Sequence, residues 1–76
     1  MNNVIEFIID SVDNNPNDMS LGEEIRAMKE TIGLGYLLTG EPLYELLYAL
    51  IDLTPNDYVL GGKIRLIKEK LQEYND

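Results

Sequence analysis

Between residues 13 and 24 the chain places Asp13, Asn15, Asn17 and Glu24 at positions 1, 3, 5 and 12 of a calcium-loop frame. Side-chain oxygens of these types at this spacing can surround calcium in a loop between two helices. Two features argue against that use. Position 6, where such a loop turns on glycine, is Asp18, and position 4 is Pro16. A second copy of the frame offers Asp52, Thr54 and Asn56 but ends on Lys63, an ammonium where a bidentate carboxylate belongs. Helix capping is the better reading of these groups. A weak calcium-responsive helical switch is kept as a further alternative, and no metal ligands are assigned.

Other catalytic arrangements are equally bare. Glu6 and Asp10 stand four apart on one helical face, while Glu23 and Glu24 are neighbours that diverge on a helix. Nothing in the sequence requires these carboxylates to be buried with split pKa values, as acid–base work would need. Ser11, Ser20, Thr31, Thr39 and Thr54 have no histidine to activate them. The chain has no His and no Cys, which removes the commonest general base and the commonest zinc ligands. The stretch "GLGYLLTGEP" lacks both glycine patterns that cradle phosphates and has no basic residue near it. The expectation is a non-enzyme without a cofactor.

Charge narrows the partners. Fourteen acidic residues against six basic give a net charge of −8. This repels nucleic acid and anionic lipid and suits a basic protein partner. No apolar run approaches the roughly 18 residues that span a bilayer. "MNNVIEFIID" has no basic segment of the kind that opens a signal peptide. A cytoplasmic protein is expected, bound to neither nucleic acid nor membrane.

The elements that must position these residues come from a repeat. "PNDMSLGEEIRAMKE" at 16–30 returns as "PNDYVLGGKIRLIKE" at 55–69, with nine identities in that phrase and two more at Glu6/Glu45 and Asp13/Asp52. Each unit holds an apolar helical run, a short turn and a second helix, the size of an αα-hairpin. Leu21, Ile25, Met28 and Ile32 recur at spacings of 4, 3 and 4, as do Leu60, Ile64, Ile67 and Leu71. That is a helical stripe. In this reading Asn15 and Thr54 are N-caps, Pro16 and Pro55 occupy the first helical position, and Asp18 and Asp57 face the positive end of the helix dipole. Gly22 and Gly61 cost their helices about 1 kcal/mol each relative to alanine, so a use is expected for both: close approach of two helix backbones. Arg26 and Glu30, like Arg65 and Glu69, are spaced for surface pairs along one helix, the alternative being that the two arginines pair across the bundle or face a ligand. Gly33 reads as a C-terminal helix cap.

The run "PLYELLYALIDL" leaves almost no polar face. Tyr44 and Tyr48, with Tyr36, are therefore expected to form a partner or self-association surface, joined by the carboxylates Glu6, Asp10, Glu23 and Glu24. The resulting expectation is an all-α domain over 1–76. It comprises four helices, near 2–13, 16–32, 41–53 and 55–74, in two tandem αα-hairpins with a pseudo-twofold axis. Unit one is 4–32, the linker is 33–40 and unit two is 41–76. Its function would be to bind another protein, as an inhibitor, antagonist or regulatory adaptor of a basic target, a nucleic-acid-binding protein being one such kind. The alternative is a structural homodimer through helix 41–53.

Overall fold

The computed structural model describes residues 3–75, with side chains from 4 to 73. The chain is all-helical, with five helices among the described residues: α1 Asn3–Asn14, α2 Asp18–Ala27, α3 Lys29–Thr39, α4 Pro42–Leu53 and α5 Asp57–Asn75. Val4, Ile8 and Val12 of α1, Leu21 and Ile25 of α2, Ile32 of α3, Leu47 and Ile51 of α4, and Leu60 and Ile64 of α5 form one buried core. The four-residue spacings within α1, α2, α4 and α5 put these residues on one stripe of each of those helices, which is why the helices close on each other.

The long helix expected over 16–32 is two helices. Met28 stands between them at φ −97°, ψ 12°, outside the helical region, and its N–H is shared between the Glu24 and Ile25 carbonyls. The corresponding Ile67 lies inside an unbroken α5. Beyond the break, α3 packs along α4, with Gly33 against the Tyr48 ring and Gly35 against the Tyr44 ring. Gly33 is thus not a helix cap and 33–39 is not a linker. The cap is Gly40, at φ +69°, whose N–H reaches the Tyr36 carbonyl at 2.7 Å.

The helix starts also sit two residues later than the PND phrase suggests. Asn17 Oδ1 accepts the Met19 N–H at 2.7 Å, and Asn56 Oδ1 accepts the Val59 N–H at 3.0 Å. These asparagines are the caps, and Pro16 and Pro55 lie outside the helices. The residues expected as caps are occupied elsewhere: the carbonyls of Asn15 and Thr54 accept the guanidiniums of Arg65 and Arg26.

The centre of the molecule is the seam between α2 and α5. A methyl group on Gly22 would lie 1.8 Å from the Asp57 carbonyl oxygen, and one on Gly61 would lie 1.8 Å from that of Asp18. Each glycine therefore lets the partner helix start against its own backbone. The expected close approach of the two duplicated helices is present, with each helix N-terminus resting on the other's glycine.

Candidate functional site

The conspicuous charged residues of the repeat hold this seam together. Arg26 Nε meets Asp57 Oδ1 at 2.5 Å, and its other nitrogens reach the carbonyls of Ile51 and Thr54. Arg65 Nε meets Asp18 Oδ1 at 2.7 Å and donates to the Asn15 carbonyl at 2.9 Å. Lys29 pairs with Asp52, and Lys68 with Asp13. Every one of these pairs has its counterpart 39 positions along the chain. The pairing of Arg26 with Glu30 and of Arg65 with Glu69 expected from spacing is replaced by pairing across the seam. There a half-buried guanidinium closes carbonyls that the preceding helix leaves open.

The same bonds dismantle the calcium frame. Asp13 faces Lys68, Asn17 caps α2, and the Asn15 amide donates to Glu24 and to the Ser11 carbonyl. Among the described residues no three acidic, histidine or cysteine side chains are grouped as metal ligands.

The α3–α4 hairpin is built differently. From Thr31 to Gly40 it carries no charged residue. Leu37 and Leu38 are 79% and 78% exposed, Leu34 is 54% exposed, and Leu46 and Leu53 of α4 are also open. These leucines were hidden in the stretch read as a linker; their 34, 37, 38 spacing is helical, but the glycines around them masked it. The three tyrosines expected at a surface all belong to this hairpin, with distinct surroundings. Tyr44 is half-buried against Gly35, whereas Tyr48 lies against Gly33 with the Lys29 ammonium 4.9 Å above its ring. Tyr36 donates its hydroxyl to the Glu45 carboxylate. That bond, and then the carboxylate's charge, raises its pKa above the usual phenol value. The pKa of Lys29 is raised chiefly by its bond to Asp52.

Two apolar grooves flank the bundle. One, of about 240 Å³, opens between α1 and α3 and is lined by Phe7, Ile32, Leu34, Leu38 and Tyr44. The other, of about 300 Å³, lies between α4 and α5 and is lined by Leu43, Leu46, Leu66, Ile67 and Leu71, with Lys70 at its side. Of the carboxylates expected at a partner surface, Glu6, Asp10 and Glu23 are exposed, whereas Glu24 is tied to Asn15. Glu6 and Asp10 share α1 with Phe7, and Glu23 is on α2. No helix among the described residues is long and apolar enough to cross a membrane. Comparison with protein-family models, with curated proteins and with solved structures gave no match.

Proposed function

We propose that this chain is a non-catalytic protein that acts by binding another protein, as an inhibitor or regulatory adaptor of a basic target. The observation that carries the reading is the uncovered leucine surface of α3, in a chain whose net charge is −8. A domain this small rarely leaves three large aliphatic side chains of one helix in water unless they are covered in use. Its negative field would speed encounter with a cationic partner and reject anionic ones. The reading includes an architecture: the 39-residue offset shared by the seam's contacts supports two hairpin units about a pseudo-twofold axis, with the α2–α3 break departing from that symmetry. The structural homodimer is the competing reading, favoured by the same exposed leucines.

Matched baits separate the two. Tagged wild type and a Leu34→Glu/Leu38→Glu variant are used to capture proteins at low and high salt. A stoichiometric basic protein, released by salt and lost with the variant, supports the proposal. Recovery of the chain alone at every salt concentration favours the homodimer.

A further inference from the structure

We infer that the α1–α3 groove is the docking site, and that its occupant is an amphipathic segment of a partner protein whose apolar side chains are flanked by lysine or arginine. The inference rests on the protein-binding reading and assigns it a place and a chemistry.

The groove has an uncharged lining, and the two helices it opens between carry unpaired carboxylates. Phe7 of α1 and Leu34 of α3 both line it. Asp10 is three residues after Phe7 and Glu6 one before it, on the side of α1 turned away from the buried stripe of Val4, Ile8 and Val12. Glu30 precedes Leu34 by one turn of α3. Among the described residues Glu6, Asp10 and Glu30 are exposed and make no ion pair, unlike the carboxylates of the seam. At about 240 Å³ and open to solvent, the groove is smaller than the roughly 300–1,000 Å³ of small-molecule sites and suits a few side chains of a helix or strand.

Charge decides between a second copy and a foreign partner. All six cations of the chain are already engaged: Arg26, Lys29, Arg65, Lys68 and Lys70 with carboxylates, and Lys63 with the Thr54 hydroxyl. A second copy, at a net charge of −8, would bring more carboxylates to this rim and, of its lysines and arginines, only Lys63 not already paired with a carboxylate. A basic segment supplies what the rim lacks. The α4–α5 groove does not fit the same description, because Lys70 stands at its side.

The test is a titration of the isotopically labelled full chain, followed by amide NMR, with two synthetic helical peptides. Both carry the same leucine pattern; one has lysine and the other glutamate at the remaining positions. The expected result is saturable binding of the lysine peptide, with shifts concentrated at Phe7 and Thr31 to Leu38, and at least tenfold weaker binding of the glutamate peptide. Leu34→Glu/Leu38→Glu should weaken the lysine peptide about tenfold or more, equivalent to about 1.4 kcal/mol. Glu6→Gln/Asp10→Asn/Glu30→Gln should flatten its salt dependence. Equal affinity for both peptides overturns the inference, as does absence of saturable shifts up to about 1 mM peptide. A dimer whose dissociation follows Leu34→Glu/Leu38→Glu overturns it in favour of a second copy. Saturable binding that shifts another face overturns the site but leaves the protein-binding reading standing.

Discussion

The α2–α5 seam and the α3–α4 hairpin put similar materials to opposite ends. Both contain helical glycines, both carry an ion pair to a neighbouring helix, and both are rich in aliphatic residues. In the seam Gly22 and Gly61 each admit a backbone carbonyl, each guanidinium ends on a partner carboxylate, and Leu21, Ile25, Leu60 and Ile64 are buried. In the hairpin the glycines admit only tyrosine rings, and Leu34, Leu37 and Leu38 remain in water. The difference separates the contacts that hold the fold from the side chains that it leaves in solvent. A backbone contact cannot yield to an added methyl group, so the seam is a structural lock, whereas side chains in solvent can be changed without loss of packing.

The comparison is broken most severely at the lock. Gly22→Ala and Gly61→Ala each gain about 1 kcal/mol of helix propensity but push a methyl group into a carbonyl, and overpacking of this kind costs typically about 1–3 kcal/mol or more. Because the obstacle is backbone at both sites, the upper end is expected, with equal losses at the two glycines. Urea unfolding measures this, and an alanine variant at least as stable as wild type would refute the lock. Next in size is the guanidinium. Arg26→Ala should cost about 1–2 kcal/mol, the value for charged hydrogen bonds reduced for its partial exposure. Arg65→Ala should cost less, since it has one carbonyl partner where Arg26 has two.

On the hairpin the expected costs fall away. Leu34→Glu/Leu38→Glu should change stability by no more than about 0.5 kcal/mol per site, as for exposed positions generally. A larger loss would mean that this face belongs to the core. The smallest effect concerns pH. Folding raises the pKa of Tyr36 above 10.0 and of Lys29 above 10.5. A group raised on folding contributes its full stability below its unfolded pKa and loses it as pH rises through the folded value. The hairpin's two bonds therefore persist at neutral pH and fade only above those values. Tyr36→Phe should show a smaller drop in melting temperature than wild type between about pH 9 and pH 11. An equal drop would remove Tyr36 from the explanation.

Much of the lock was legible in the sequence because it is written twice. The recurrence of glycine at 22 and 61 despite its cost marked a backbone approach, and the apolar stripes marked the core. Pairing of Arg26 across the bundle was legible only as the alternative to Glu30, and its partner was not, since i,i+4 spacing is local while Asp57 becomes a neighbour only once the units fold together. The caps were misplaced by two residues because proline and asparagine are both start signals and only the fold decides between them. The hairpin was half legible. Tyr36, Tyr44 and Tyr48 fall on it, but Gly33 and Gly35 suggested a linker, and the exposure of Leu34 and Leu38 depends on where α3 packs after the break at Met28.

The central claim is that the fold rests on the seam while α3 remains free to bind. The most direct test is the affinity of the lysine peptide for the Leu34→Glu/Leu38→Glu protein, measured on material whose urea midpoint is determined alongside. The account predicts a midpoint shifted by the equivalent of no more than about 1 kcal/mol for the two sites together, and binding weakened about tenfold or more. A midpoint that falls further than this together with affinity, or an affinity that does not change, would contradict it.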